Sequence, residues 1–169
     1  MLPPELTTER LILKAYSPPD QNRFIEMSID QESTQFMGNA TGDFDEEKKL
    51  FKKILEIYAT DQERWFWIWG IFEEKQLCGH LELKQTEHTN PNELEIVYMV
   101  HPNERRKGIM TEALSCIKQQ QSTWQRRIIA TVSPDNLASI SLLKKWGIEK
   151  EESISDPESG ETYLKLTLA

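Results

Sequence analysis

Apolar residues recur along the chain with two different periods, one typical of helices and one typical of strands. Apolar side chains at 50, 54, 57 and 58 fall on one helix face, and acidic residues crowd the first turn, where the helix dipole favours negative charge. A helix is therefore predicted over 43–60. Three further helices are predicted on similar grounds. The first follows the turn residues at 17–20, the second spans 109–121, and the third runs from the possible caps at 133–136 to Gly147.

Short apolar runs bounded by turn residues predict six or seven strands. The predicted strands are 11–13, 65–72, 76–85, 93–100, 128–132, 148–154 and 162–168. The last two are joined by a turn through Pro157 and Gly160. Strands joined by short turns predict an antiparallel meander, whereas the strand, helix and strand over 93–132 require a parallel pair. We therefore expect an α+β fold with a mixed, mostly antiparallel sheet, and a single domain over 1–169.

Length and charge narrow the class of protein. The 169-residue chain carries 20 basic and 28 acidic side chains, for a formal charge of −8. A chain of this length buries roughly 70% of the surface of its unfolded form, which is enough for a core without disulfides. The longest apolar stretch, 65–72, is far shorter than the roughly 20 residues of a membrane-spanning helix, and residues 1–5 lack the features of a secretory signal. We expect a cytoplasmic protein that does not enter a membrane.

Cysteine spacing and charge also argue against several kinds of site and partner. Cys78 and Cys116 have no metal-ligand spacing, so we expect two buried small side chains, with no disulfide and no metal site. An acidic excess without a stripe of Lys and Arg argues against nucleic acid as a partner. A cationic or amine substrate fits this charge better.

The most informative segment is the basic turn before the predicted helix at 109. Arg105, Arg106 and Lys107 are adjacent there, although a helix N-terminus already carries partial positive charge and free N–H groups. A bound anion such as a phosphate would relieve this arrangement, and Gly108 allows the backbone to approach it closely. The alternative is a solvated basic turn. The segment is neither a Walker loop nor a GxGxxG turn.

These residues resemble a family motif. Arg105-x-x-Gly108-x-Met110 is similar to the acyl-CoA pyrophosphate motif, [Q/R]-x-x-G-x-[G/A], of the GNAT acetyltransferase superfamily. The opening at 6–13 resembles the branch that contains ribosomal-protein N-terminal acetyltransferases, and 136–148 resembles a later conserved helix. The resemblance implies a three-layer fold with helices on both faces of the sheet and splayed strands that hold acetyl-CoA.

The resemblance also implies which residues bind acetyl-CoA. The pyrophosphate would be held by Arg105, Arg106, Lys107, Gly108, Ile109, Met110 and Thr111. The strand edge at Tyr98, Met99 and Val100 would pair with the pantetheine arm, and its backbone N–H is a possible oxyanion donor. Asn136 would contact a pantetheine amide, cap the following helix, or do both. Met110 departs from the family pattern, which has a small residue there.

Transfer to an amine requires a group that accepts a proton. Glu95, on the strand that leads into the basic turn, is the candidate base, with Glu82 and Glu93 as alternatives. Related enzymes place a tyrosine on the last predicted helix to protonate the leaving thiolate, and here that position is Leu143. Ser139 or a water would take this role, or no acid is needed, since a thiol with a pKa of about 8.5 is a tolerable leaving group.

Two further features have a structural interpretation. Trp65, Trp67 and Trp69 alternate on one predicted strand face, which favours a core position over a cage around a substrate. His101 lies next to the basic turn and is expected to be structural.

The predicted function is an N-acetyltransferase in which an amine attacks acetyl-CoA directly in a ternary complex. The opening segment favours a protein N-terminal α-amine as acceptor, and acceptor loops are expected at 31–42 and 85–92. A small amine, such as a polyamine, an amino sugar or an aminoglycoside, is the competing acceptor. Met110 and Leu143 also leave room for a non-catalytic CoA-binding domain, and an interaction module without a cofactor is a third hypothesis. We expect a monomer or a homodimer.

Overall fold

The computed structural model describes residues 2–37, 40–60, 67–156 and 159–169. Its strands form one open sheet of eight, in the order β1-β2-β3-β4-β5-β6-β8-β7. Their bounds are β1 Leu6–Thr7, β2 Leu11–Lys14, β3 Trp67–Glu73, β4 Gln76–Lys84, β5 Glu93–Val100, β6 Arg127–Val132, β7 Ile148–Ser155 and β8 Thr162–Leu168. All seven predicted strands are found. The additional one, β1, has two residues and is too short to show an apolar period.

Five α-helices lie among the described residues. They are α1 Gln21–Ser28, α2 Gln31–Thr34, α3 Phe44–Ala59, α4 Ile109–Trp124 and α5 Leu137–Trp146. The four predicted helices are confirmed, and the Asp43 side chain caps α3 by accepting a hydrogen bond from the Glu46 amide at 2.9 Å. Helix α4 extends past the predicted end to Trp124, and its C-cap, Gln125, has the left-handed conformation. The short α2 was missed because it buries no residue and therefore shows no apolar face.

The helices lie on both faces of the sheet and form two hydrophobic cores. One core joins α4 and α5 to the sheet through buried residues such as Leu114, Leu143 and Trp69. The other joins α1 and α3 to the opposite face and includes Phe24 and Phe51. This arrangement confirms the predicted three layers. It also explains why β3 is buried at nearly every position, since both of its faces are covered.

The tryptophans of β3 belong to the first core. The ring of Trp124 lies 4.8 Å from that of Trp67 and 6.3 Å from that of Trp69. The Trp69 indole N–H donates to the carbonyl of Pro4 at 2.7 Å. The core interpretation is confirmed for these two residues, while Trp65 lies outside the described part of the chain.

The structure also bears on the predictions for the two cysteines and for the last turn. Cys78 and Cys116 are buried and free. The turn between β7 and β8 contains Gly160 with a φ of 72°, whereas Pro157 lies outside the described residues. Among the described residues, the helices are too short or too polar to cross a membrane.

Strands β5 and β6 form the parallel pair that the sequence requires, but they pair only briefly. The paired positions are Glu93 with Arg127, Leu94 with Ile128, and Glu95 with Ile129. Beyond this point β5 stays with β4, while β6 pairs with β8 on its other side. The two strands therefore splay apart, and among the described residues the edge of β5 over 96–100 has no strand partner on the side of β6.

Candidate active site

The splayed edge of β5 leads into a turn that ends at the N-terminus of α4. Gly108 is the N-cap of α4, with a φ of 78°, and Arg106 also has a positive φ of 62°, which is rare for a residue with a Cβ. Because the N-cap is glycine, no capping side chain accepts hydrogen bonds from the first-turn N–H groups of α4. These N–H groups and the helix dipole make the turn suitable for binding an anion.

The three cations of the turn have different partners. The Arg105 guanidinium contacts Asp30, Glu32 at 2.8 Å and Ser33 at 2.7 Å, all in or next to α2. Lys107 pairs instead with its neighbour Glu104 at 2.8 Å.

Arg106 is exposed and forms no ion pair with any described residue. The charges of Arg105 and Lys107 are therefore compensated by carboxylates of the protein, a second way of relieving the basic turn besides the bound anion that the sequence predicts. No local pattern pointed to the carboxylates of α2, because they are more than 70 positions away from Arg105 in the chain.

Glu104 is the buried centre of an ion-pair network beneath the turn. It accepts hydrogen bonds from Lys107 at 2.8 Å and Gln76 at 2.5 Å, and pairs with Arg23 at 3.3 Å. The hydrogen bond from Lys107 lowers the pKa of Glu104 against the opposing effect of burial. The carboxylate is therefore ionised at neutral pH and holds the base of the turn in place.

The first residues of α4 divide between core and surface. Ile109 and Met110 are only 1% and 6% exposed and belong to the core beneath α4, whereas Thr111 is exposed. The Met110 side chain therefore packs toward the sheet rather than over the first-turn N–H groups. Although the family motif has a small residue at this position, Met110 therefore does not cover the turn.

The strand edge predicted for pantetheine is partly occupied by α2. Tyr98 and Met99 pair with β4 on one side, and the Val100 carbonyl accepts a hydrogen bond from the Ser33 hydroxyl at 3.2 Å. The Met99 side chain belongs to the core beneath α1 and α3. The part of the edge that faces the splay is therefore the backbone between Glu95 and Val100.

Tyr98, Ser139 and Asn136 meet across the splay. The Tyr98 and Ser139 hydroxyl groups are hydrogen-bonded at 2.7 Å, and the Ser139 amide donates to the Asn136 side-chain oxygen at 3.1 Å. Asn136 is thus the N-cap of α5, which is one of its two predicted roles. Burial raises the pKa of Tyr98 to about 12, although the hydrogen bond with Ser139 acts in the opposite direction. The phenol is therefore protonated at neutral pH.

Leu143 is fully buried in the core under α5. The position where related enzymes carry a tyrosine thus faces the interior here. The Tyr98 hydroxyl comes from β5 instead. No local pattern pointed to this hydroxyl, because Tyr98 and Ser139 are 41 positions apart and Tyr98 was predicted only as part of a strand edge.

The two alternative bases are held by cations. Glu82 contacts His80 at 3.1 Å and Lys84 at 2.9 Å. Burial alone would raise the pKa of Glu82, but the hydrogen bond and charge of His80 and the charge of Lys84 lower it to about 2. Glu93 pairs with Lys165 at 2.9 Å, and its pKa is also lowered, against burial, by hydrogen bonds from Asn90 and Lys165. Both carboxylates are poor proton acceptors.

Glu95 has a different environment. It is 8% exposed and accepts a hydrogen bond from the Thr86 hydroxyl at 2.5 Å. It forms no ion pair with any described residue, and it lies at the last paired position before β5 and β6 separate. Of the three candidate carboxylates, Glu95 is the one that lies at the mouth of the splay and has no ion pair with a cation in the described part of the chain.

His101 is 2% exposed and is held on both sides of its ring. Its Nε2 lies 3.1 Å from Glu26, and its Nδ1 accepts from the Asn103 amide at 3.3 Å. The structural interpretation of His101 is confirmed.

A sequence profile of the family described as "Acetyltransferase (GNAT) domain" matches residues 10–149. This chain belongs to the GNAT acetyltransferase family. A curated relative, an uncharacterized N-acetyltransferase named YnaD from Bacillus subtilis, is 28% identical over 86% of this chain and 83% of its own. The match to the family covers both the splayed strands and the turn before α4.

Two solved structures have the same GNAT fold. A GNAT family acetyltransferase from Bacillus anthracis superposes with a TM-score of 0.78 at 19% identity, over 97% of this chain and 96% of its own. An acetyltransferase from Salmonella typhimurium, described as modifying the N-terminal serine of ribosomal protein L7/L12, has a TM-score of 0.77 at 14% identity, over 98% of each chain.

The residues of this GNAT site fit the acetyl-CoA that the family uses. A diphosphate matches the uncapped first-turn N–H groups, and Gly108 leaves space above the turn, since an added Cβ would meet its nearest atom, in Arg10, at 3.6 Å. An extended amide-bearing arm matches the unpaired edge of β5. The protein is an acetyl-CoA-dependent acyltransferase.

Proposed function

We propose that this GNAT acetyltransferase transfers an acetyl group from acetyl-CoA to the N-terminal α-amine of a protein. The observation that carries acetyl transfer from acetyl-CoA is the splay of β5 and β6, which places a strand edge unpaired with any described residue between Glu95 and the turn at Gly108. The fold shared with an enzyme that modifies an N-terminal serine and the formal charge of −8 support a cationic peptide terminus as acceptor.

The pyrophosphate is held mainly by the backbone of the turn. The N–H groups of Gly108, Ile109, Met110 and Thr111 are the donors, and Arg106 supplies the free positive charge. Arg105 and Lys107 contribute through their backbone, since their side chains are occupied by carboxylates. This assignment keeps all seven turn residues in the cofactor site but gives them unequal roles.

The pantetheine arm lies along the edge formed by Tyr98, Met99 and Val100. Backbone groups that face the splay hydrogen-bond to its amides, and one N–H polarises the thioester carbonyl. The Asn136 side-chain oxygen caps α5, which leaves its amide nitrogen for the cofactor.

Acetyl-CoA supplies a thioester whose carbonyl carbon is open to attack by an amine. Glu95 accepts a proton from the α-amine, directly or through a water, so that the nitrogen lone pair is available. A new C–N bond forms as the C–S bond breaks, and the second proton that the nitrogen loses on becoming an amide passes to water, from which the hydroxyl pair described next is reprotonated. The Ser139 and Tyr98 hydroxyl pair donates a proton to the departing sulfur, whose pKa as a free thiol is about 8.5.

A small-molecule amine is the second candidate acceptor. An open cavity of about 580 Å³ lies beside α2, and its lining combines polar residues such as Gln31, Glu32 and Gln35 with apolar ones such as Ile29 and Met37. Most of these residues belong to the acceptor loop predicted at 31–42, of which residues 38–39 are outside the described part. The polar part of the lining suits a polyamine or an amino sugar.

A thiol-release assay separates the two acceptors. We expect peptides with free N-termini to accelerate acetyl-CoA-dependent thiol release, and the same peptides with acetylated N-termini and an internal lysine to remain at background. Release only with small amines would favour the second candidate. Thermal stabilisation by acetyl-CoA without release for any amine would favour a non-catalytic CoA-binding domain.

A further inference from the structure

The turn between β1 and β2 is fastened to the turn before α4 by Arg10. Its Nη2 donates to the Lys107 carbonyl at 3.2 Å, its Nε donates to Glu112 at 2.8 Å, and its Nη1 donates to Glu73 at 3.4 Å. The Arg10 amide and the Thr8 hydroxyl also donate to Glu112. A single guanidinium therefore joins β3, α4 and the cofactor turn.

The contact with Lys107 determines the direction of the next N–H group. The Lys107 carbonyl and the Gly108 N–H belong to one trans peptide, so they point in opposite directions. With the carbonyl held on the side of Arg10, the Gly108 N–H faces away from Arg10. Glycine has more conformational freedom than other residues, so a contact that fixes the adjoining peptide has a large effect on which orientation is populated.

Arg10 is not itself arranged as an anion ligand. Each of its three nitrogens donates to a protein acceptor, and its charge is balanced by Glu73 and Glu112. Burial would raise the pKa of Glu112, but hydrogen bonds from Thr8 and Arg10 lower it, so this carboxylate remains ionised and keeps its hold on the guanidinium. Among the cations around the turn, Arg106 is the one without an ion pair to a described residue.

We propose that Arg10 is a positioning residue for coenzyme binding. By holding the Lys107 carbonyl it presents the Gly108 N–H to the CoA pyrophosphate, and Glu112 holds Arg10 in place. This inference rests on the proposed cofactor site. It gives the segment 8–10 a physical role in addition to the family resemblance that this segment carries.

Isothermal titration with CoA tests the proposal on the full chain. We expect Arg10→Gln to weaken CoA binding about tenfold, the loss that accompanies one misdirected hydrogen bond to an anion. Glu73→Gln is the matched control, because it removes one partner of Arg10 but leaves the Lys107 contact, and we expect its affinity to stay within twofold of wild type. Arg10→Lys, which keeps the charge but lacks the forked geometry, is expected to fall between the two.

Two readouts separate positioning from direct binding and from a purely structural role. The salt dependence of CoA affinity is expected to be unchanged in Arg10→Gln but weaker in Arg106→Gln, since of these two side chains only that of Arg106 contacts the phosphates. The Gly108 amide resonance in a ¹⁵N spectrum is expected to shift with CoA in the wild type and to shift less in Arg10→Gln.

The negative outcomes are distinguishable. If the wild-type protein binds no CoA, both the cofactor site and this inference are overturned. If the wild type binds CoA and Arg10→Gln binds it with the same affinity, only the role of Arg10 is overturned. The same holds if Arg10→Gln loses as much salt dependence as Arg106→Gln. If Arg10→Gln does not fold, Arg10→Lys is used in its place. The proposal is overturned if Arg10→Lys binds CoA as tightly as the wild type and its Gly108 amide resonance shifts with CoA by the same amount.

Discussion

At the scale of single residues, chemical character follows from the partners that the fold supplies. Glu82, Glu93 and Glu95 are neighbouring glutamates of two adjacent strands, yet the first two are held by cations and the third by a hydroxyl. The charged and hydrogen-bonding partners of Glu82 and Glu93 lower the pKa of both carboxyl groups against the effect of burial, which makes them poor proton acceptors. Glu95, which forms no ion pair with a described residue, is therefore the base that we propose.

Replacing Glu95 by Gln is expected to lower kcat/KM about 100-fold at neutral pH, which is typical for loss of a general base. The deficit is expected to shrink as the pH rises above about 8, because the α-amine is then neutral without assistance. CoA affinity measured by titration is expected to be unchanged. Glu56→Gln, at an exposed position of α3 outside the predicted acceptor loops, is the control. Equal turnover of Glu95→Gln and wild type at every pH would exclude Glu95.

The hydroxyl pair predicts a second kinetic effect. Tyr98→Phe and Ser139→Ala are each expected to lower kcat about tenfold or more while CoA affinity changes little, because the pair acts on the leaving sulfur and not on the diphosphate. Since the pKa of Tyr98 is about 12, its deprotonation does not limit kcat in the wild type below about pH 11. A change confined to the CoA dissociation constant would assign the pair to binding alone.

At the scale of elements, α2 is connected to the cofactor turn. Asp30 caps α2 by accepting from the Ser33 amide at 2.8 Å, and the same carboxylate receives Arg105. Burial would raise the pKa of Asp30, but its hydrogen bonds from Ser33 and Arg105 lower it. Arg105, the first residue of the family motif, thereby binds α2, which belongs to the acceptor loop predicted at 31–42.

Arg106→Ala is therefore expected to weaken CoA binding more than Arg105→Ala does. We expect about a tenfold loss for Arg106, the value of one charge-assisted hydrogen bond, and less than threefold for Arg105. Lys52→Ala, on an exposed position of α3, controls for the change in net charge. Titration of CoA measures all three, and a larger loss for Arg105 would show that CoA displaces it from α2.

At the scale of the whole molecule, the sheet is covered on both sides and carries a buried polar chain on the side of α1 and α3. The Tyr16 hydroxyl lies 2.7 Å from His80, which contacts Glu82, which in turn pairs with Lys84. Buried polar groups of this kind are stabilising only while their partners keep the matching protonation state.

Acid sensitivity follows from this chain. The pKa of Glu82 is about 2 in the folded protein against an ordinary value of 4.5, so the unfolded state binds more protons between these pH values. The contribution of Glu82 is therefore complete above about pH 4.5 and is lost as the pH falls toward 2. The free energy of unfolding, measured with urea between pH 6 and 2.5, is expected to fall less steeply with decreasing pH for Glu82→Gln than for the wild type. Identical slopes would contradict this prediction.

Sequence patterns determined most of the helices and strands of this protein, though not β1 or α2, and the family it belongs to. The apolar periods of α3, α4 and α5 and the short runs of β3, β4 and β5 place their side chains against a core whatever the neighbours are, because burial of apolar surface follows from spacing along one element. The pattern around Gly108 likewise depends on local backbone conformation, and the family resemblance that it carries is confirmed.

Tertiary structure alone decided the partners within the site. Arg105 meets α2, Tyr98 meets Ser139, and Arg10 meets the Lys107 carbonyl across separations of 72 to 75, 41 and 97 residues. The end of the β5 and β6 pairing was equally invisible in the sequence. Charge compensation and hydrogen bonding depend on distances of about 3 Å, and such distances between remote segments exist only once the sheet and both helical layers have assembled.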